Sequence, residues 1–247
     1  MSVLDEARAA VGLLTIVPVG RRELRAGSAD GAALWFPLVG ALVGVLAAAA
    51  YGLGEALLGS AYGAAFALTL SAIVTGGLHH DGLADTADGL GVRGDRARRL
   101  DVMRDPGIGA FGALALVGFF LLATAALARL SPPEAAGALV AGHALSRWAS
   151  LAQLTFVAPA RADGLGASFS AQRAAFVIGS VAALAIALVA GGVFAGLCAV
   201  AGAAVAAAAM ALLASRAVGG RTGDTLGAAV LVTELVVYSV LAAYLVT

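Results

Sequence analysis

Apolar residues run along this chain in blocks of about twenty, the length a helix needs to cross the hydrocarbon core of a bilayer, with short polar connectors between them. Seven such blocks can be read, at about 33–51, 62–79, 110–129, 135–157, 174–190, 192–213 and 228–246. Only Gly191 and Gly192 separate the fifth from the sixth, so these two are read either as one long broken element or as two helices joined by a very tight turn. Ahead of the first block, Val3, Leu4, Ala7, Val11 and Leu14 share one helical face while Asp5, Glu6 and Arg8 take another. That pattern predicts an amphipathic helix lying along the interface or against the bundle. Pro18 predicts a break between this helix and the first block.

Composition agrees with the pattern. Of 247 residues, 61% are hydrophobic and 12% charged, against about 25% charged in soluble domains. The expectation is an all-α, polytopic membrane helical bundle of about seven transmembrane helices plus the amphipathic helix, forming one integral membrane domain over residues 1–247. A transmembrane β-barrel would show alternating segments of about ten residues, not long unbroken runs. Abundant Ala and 33 Gly suit helices that pack backbone to backbone in a bilayer. The one cysteine, Cys198, can form no intrachain disulfide and reads as a small core residue. The opening MSVLDEARAA carries acids and shows no cleavable signal peptide.

Every basic side chain is Arg. On a seven-span reading, the N-terminal region and the loops 80–109, 158–173 and 214–227 share one side and hold Arg8, Arg21, Arg22, Arg25, Arg93, Arg96, Arg98, Arg99, Arg104, Arg161, Arg173, Arg216 and Arg221. The other side receives Arg129. The positive-inside rule then places the N-terminus in the cytoplasm, the C-terminus outside, and the motif-bearing loops (79–109, 143–147 and 216–227) at the cytoplasmic face.

The chemistry concentrates in GGLHHDGLADTADGLG at 76–91. Asp81, Asp85 and Asp88 stand at i, i+4 and i+7, one face of a helix. Three like charges near a bilayer repel one another and call for a cation. Their hard oxygens favour Mg²⁺ or Mn²⁺ and, through it, phosphate chemistry. The alternative is a solvated helix start that draws acids by its dipole. Gly82 and Gly89 would let a bulky group approach this helix face. His80 reads as a proton acceptor or ligand and His79 as a donor to phosphate, unless both are interfacial residues.

Downstream, Arg93, Arg96, Arg98 and Arg99 read as a solvated or headgroup-facing cluster. Arg104 and Asp105 lead into PGIGAFG, which suggests a helix N-terminus that binds phosphate. His143 and Arg147 form an i, i+4 pair in the fourth block, with Ser146 beside them; Arg147 is expected to meet substrate phosphate or an aspartate, the alternative being a structural ion pair. In GGRTGDTLGA, the residues Arg221, Thr222 and Asp224 would suit a diphosphate or a second metal.

These motifs together, HHDGLADTADGLG, MRDPGIGAFG, HALSR and GGRTGDTLGA, with FPLVGALVG at 36–44, resemble cobalamin synthase, the adenosylcobinamide-GDP ribazoletransferase family, over nearly the whole chain. The resemblance implies a bacterial or archaeal inner-membrane enzyme that joins adenosylcobinamide-GDP to α-ribazole or its 5'-phosphate, releases GMP and requires a divalent metal, usually Mg²⁺. Carried onto this chain, it makes Asp81, Asp85 and Asp88 the acidic motif. Corrinoid nucleotide, α-ribazole and membrane lipid are then the partners, with no nucleic acid. The sequence leaves the oligomeric state open, a homo-oligomer included. Two rivals remain: a CDP-alcohol phosphatidyltransferase, although the Ala-Arg pair that follows the first aspartates there is absent, and a membrane transporter, which would place acids near the midplane of several spans.

Overall fold

The computed structural model describes residues 2–19, 31–161 and 170–245. Ten α-helices are described: α1 (Val3–Leu14), α2 (Phe36–Leu58, entered through a short 3-10 turn at Ala33–Trp35), α3 (Ser60–Val74), α4 (Leu78–Gly91) and α5 (Arg96–Val102), followed by α6 (Ala110–Leu127), α7 (Pro132–Phe156), α8 (Arg173–Gly191), α9 (Val193–Val218) and α10 (Gly223–Leu245). Among the described residues there is no strand, only a one-residue pairing of Pro159 with Arg221.

Five helices are long and apolar enough to cross a membrane, namely Ala33–Leu58, α6, α8, α9 and α10; α3 and α4 together make a sixth if that bent pair is one span. The chain is a multi-pass membrane protein. This count does not confirm the expected seven, and the two remaining blocks fall outside it for different reasons. The block at 135–157 does form a helix, α7, whose 25 residues extend about 37 Å at 1.5 Å per residue. It carries Glu134, His143, Arg147 and Gln153, too polar for a lipid-facing span. It tolerates them because it runs through the core, packed on α2, α8, α9 and α10. The block at 62–79 breaks instead: Gly76 and Gly77, at φ 61° and 71°, turn the chain by 94° between α3 and α4.

Small residues set the helix spacing. A Cβ on Gly44 would stand 2.7 Å from Val140 Cα, and one on Gly40 would collide with the His143 carbonyl, so FPLVGALVG lets α2 lie directly on α7. The fifth and sixth blocks are two helices joined by a turn at Gly192 alone, at φ 77°. A left-handed residue there admits glycine at no steric cost. Helix α1 ends at Leu14, three residues before Pro18 is reached, and Ile16 N–H donates to the Val74 carbonyl at 2.9 Å. Its contact face is narrower than the pattern implied. Ala10 and Leu14 pack with Ala33, Phe36, Leu151 and Leu154, while Val3 and Leu4 stay exposed. Cys198 is a free, partly buried thiol.

The connectors that carry the motifs are tied to one another. Ala160 N–H donates to the Arg221 carbonyl at 2.8 Å, Arg221 N–H to the Ala158 carbonyl at 2.9 Å, and the Arg96 guanidinium to the Ala160 carbonyl. Arg99 reaches the Ala217 carbonyl at 3.5 Å, at the end of α9 where a cation complements the helix dipole. Arg96 and Arg99 thus tie connectors together, and Arg93, Arg96 and Arg98 are exposed. Of the arginines behind the orientation argument, Arg21, Arg22 and Arg25 lie outside the described residues.

Candidate active site

Helix α4 owes its position to two glycines. A Cβ on Gly82 would lie 2.8 Å from the Asp224 carbonyl oxygen and 3.0 Å from Gly227 Cα. The first turns of α4 and α10 thus cross at backbone contact, and no side chain larger than hydrogen fits at the crossing. The bulky group expected at this face is therefore α10 itself. At Gly89 it is Met103, whose side chain covers the glycine.

This crossing brings Asp224 to the acidic motif. Asp85 is half-buried and lies within the field of Asp81, Asp88 and Asp224, and Asp224 in turn feels Asp81, Arg104 and Arg161. The result is a group of carboxylates drawn from two helices. At its edge Arg161 Nη2 stands 3.5 Å from Asp224 Oδ2. Asp81 and Arg104 are exposed.

Asp88 differs from its motif partners. Its Oδ2 accepts the Gly109 N–H at 2.7 Å and its Oδ1 the Gly112 N–H at 2.9 Å. PGIGAFG does form an anion-binding helix N-terminus, but the anion seated there is the Asp88 carboxylate. Asp105 accepts the Gly107 N–H at 2.9 Å and shapes the turn before α6.

Thr222 and Arg221 build the start of α10. Thr222 Oγ1 accepts the Thr225 N–H at 3.1 Å, Thr225 Oγ1 accepts the Thr222 N–H at 2.8 Å, and the Thr222 hydroxyl lies 3.1 Å from Asp224 Oδ2. This reciprocal cap holds Asp224 in place. Arg221 is buried and donates to the Val157 carbonyl, and burial holds its guanidinium below the usual pKa.

His143 and Arg147 do not reach this group. They meet Glu234 of α10 in a separate buried cluster. Arg147 is ion-paired to Glu234 Oε1, His143 Nδ1 lies 2.9 Å from the same oxygen and Ser146 Oγ lies 3.2 Å from it. Arg147 and Glu234 are each 2% exposed. The expected phosphate or aspartate partner of Arg147 is thus a glutamate, in a structural ion pair. Glu234 escaped the sequence reading, although a lone acid inside an apolar block needs a cation and His143–Arg147 is the cationic pair within the spans.

The two adjacent histidines diverge. The His80 ring stacks on Phe120 at 5.3 Å and meets Phe119 edge-on at 5.7 Å. Both ring nitrogens of His80 are buried without a hydrogen-bond partner. His79 is 4% exposed and borders an apolar cavity beside Gly223 and Gly227.

For a metal, the donors have the right chemistry: Asp81, Asp85 and Asp224 offer hard oxygens and a shared excess of negative charge. Among the described residues, however, no three such side chains converge closely enough to hold an ion as they stand. The fit is one of donor type and charge, with side-chain rotation needed to complete it.

The fold and the site together define a helical multi-pass membrane protein with a carboxylate group at the crossing of two helices. The sequence model of the family described as cobalamin-5-phosphate synthase matches residues 6–242, and the chain belongs to that family. It is 39% identical to an adenosylcobinamide-GDP ribazoletransferase of Bradyrhizobium diazoefficiens, over 98% of this chain and 95% of the relative. Proteins of the same description from Azorhizobium caulinodans (42% identical, 78% of this chain and 76% of the relative) and Mesorhizobium japonicum (38%, 95% and 92%) are similar to it as well. No solved structure matches.

Proposed function

We propose that this protein transfers the adenosylcobinamide phosphate group of adenosylcobinamide-GDP to α-ribazole or α-ribazole 5'-phosphate, releasing GMP and forming adenosylcobalamin or its 5'-phosphate. The observation that carries the reading is the crossing at Gly82 and Gly227, which sets Asp224 beside Asp81 and Asp85, in a chain whose relatives are named for this transfer.

In the reaction, a ribose hydroxyl oxygen of ribazole bonds to the cobinamide-linked phosphorus. The bond from that phosphorus to the oxygen bridging to GMP breaks, and GMP leaves with the electron pair. A carboxylate of the Asp81, Asp85 and Asp224 group takes the hydroxyl proton. Mg²⁺, or Mn²⁺, held by these three aspartates would neutralise the diphosphate and the charge it develops. Exposed Arg104, close enough to act on Asp224, is placed to orient the diphosphate. Asp88 anchors α6 against α4, Thr222 steadies Asp224, Arg221 pins the 157–160 connector, and the His143–Arg147–Glu234 cluster locks α7 to α10. We propose that this end of the bundle faces the cytoplasm of a bacterial inner membrane with the C-terminus outside, a reading that the excess of Arg in its connectors supports.

The test is incubation of detergent-purified protein with adenosylcobinamide-GDP, α-ribazole and Mg²⁺, with mass spectrometry of the products. Cobamide and GMP are expected, and chelation of the metal should stop both. Absence of cobamide under conditions where an established synthase works, or release of CMP from a CDP-alcohol donor, would overturn the assignment.

A further inference from the structure

The connector that leaves α7 is stitched to the start of α10, and it carries Arg161 to the acidic group. Ala160 N–H and the Ala158 carbonyl pair with Arg221, and the Arg96 guanidinium donates to the Ala160 carbonyl. Gly220 permits the approach, because a Cβ there would collide with the Ala158 carbonyl. With residue 160 held at both its N–H and its carbonyl, the next side chain is delivered beside Asp224. Arg161 Nη2 stands 3.5 Å from Asp224 Oδ2, and the two side chains are 19% and 20% exposed.

This ion pair is loose. A charge-assisted N–H···O bond measures about 2.7–2.9 Å, and the same Oδ2 already faces the Thr222 hydroxyl at 3.1 Å. Nη1 of Arg161 is buried and donates to no partner, so the guanidinium leaves part of its hydrogen-bonding capacity unmet where it stands. Other guanidinium groups around the site are spent on the fold. Arg96, Arg99 and Arg221 donate to connector carbonyls, and Arg147 is paired to Glu234.

We propose that Arg161 is a phosphate-binding residue of this site, bridging Asp224 and the diphosphate of the donor; the inference rests on the proposed function, which supplies that donor. Charge decides the need for it. Asp81, Asp85 and Asp224 with one divalent ion keep a single negative charge, and Arg104 alone brings the group to neutrality. A diphosphate esterified at both ends carries two negative charges, and a neutral group offers it no net attraction. The second guanidinium makes the site cationic. Its planar fork of five N–H donors serves a carboxylate and a phosphate oxygen at once. Because both side-chain contacts of Asp224 fall on Oδ2, this bridge leaves Oδ1 for the metal.

Two variants test the assignment. Arg161→Gln keeps a polar side chain and removes its charge, and Arg161→Lys keeps the charge and removes the fork. With α-ribazole as acceptor, so that the donor alone brings phosphate, Arg161→Gln should raise KM for adenosylcobinamide-GDP about tenfold or more, the scale of one lost charge-assisted hydrogen bond. KM for α-ribazole should stay within about twofold, and Arg161→Lys should recover part of the loss. Two binding measurements on the detergent-solubilised protein separate this role from that of a mere support for Asp224. Radiolabelled GDP in the presence of Mg²⁺ should bind Arg161→Gln about tenfold more weakly than wild type. Mn²⁺ alone, followed by its EPR signal, should bind Arg161→Gln at least as tightly as wild type, since a cation has left the neighbourhood of its ligands. Weaker Mn²⁺ binding by Arg161→Gln, or a donor KM and GDP affinity that do not change, would overturn the proposal. If GDP binding depends on Arg161 in this way while the wild-type protein forms no cobamide, the assigned reaction fails and the phosphate-binding role of Arg161 holds.

Discussion

Two groups of charged side chains meet on α10, and they have solved the problem of charge in a membrane protein in opposite ways. Glu234 lies in the interior, 2% exposed, with Arg147, His143 and Ser146 converging on one carboxylate oxygen. Its charge is cancelled inside the protein. Asp224, ten residues earlier, joins Asp81 and Asp85 in a group with an excess of like charge, partly open to solvent and bordered by Arg104 and Arg161. A neutral buried pair stabilises packing and has nothing left to offer a ligand. A partly exposed group of one sign is costly until a cation or substrate completes it. The difference teaches that in this bundle a charge inside a span is a bolt, and an uncompensated group at the end of one is a site.

The largest effect that would break this contrast is on turnover. Asp85→Asn removes one charge from the acidic group and leaves the packing alone. Loss of several kcal/mol of transition-state charge stabilisation corresponds to a fall in kcat of about a thousandfold or more, with the melting temperature in detergent unchanged. Near-normal Mg²⁺-dependent turnover in Asp85→Asn would remove the acidic group from the chemistry.

The second effect is on stability, and it concerns the other region. Glu234→Ala leaves Arg147 buried without its partner, which costs about 3–5 kcal/mol and should lower the melting temperature sharply or prevent recovery of folded protein. The double variant Arg147→Met with Glu234→Leu removes both charges and should recover most of that loss. If the double variant is stable and still turns over, the cluster is structural, as its burial indicates. A stable double variant with no turnover and intact Asp85 would instead give Arg147 a part in the reaction.

How far the sequence disclosed this contrast differs between the regions. The i, i+4, i+7 spacing of Asp81, Asp85 and Asp88 lies within one helix, so helical geometry alone put them on one face. That Asp224 joins them depends on Gly82 and Gly227 meeting across two helices 145 positions apart in the numbering, which no local pattern contains. For the same reason Arg147 was visible as a costly charge while its partner Glu234 was not. The helices themselves were legible because long apolar blocks leave few alternatives. The two blocks outside the count of long apolar helices are α7, which is buried in the core and carries polar side chains, and the stretch at Gly76–Gly77, where positive φ angles bend a block that the hydropathy pattern draws straight.

The smallest effect separates Asp88 from the motif it belongs to. Its two oxygens hold the N–H groups of Gly109 and Gly112 at the start of α6, the work of a helix cap. Asp88→Ala should therefore cost about 1 kcal/mol of stability, seen as a melting temperature a few degrees lower, and about tenfold in turnover through the loosened junction of α4 and α6. Asp88→Asn keeps an acceptor oxygen for one of the two donors and should recover part of both losses. The outcome that would move Asp88 into the metal-binding set is Asp88→Asn as inactive as Asp85→Asn at an unchanged melting temperature. A cap tolerates an amide oxygen, since Asn caps helices about as well as Asp, whereas a group that needs the charge itself does not.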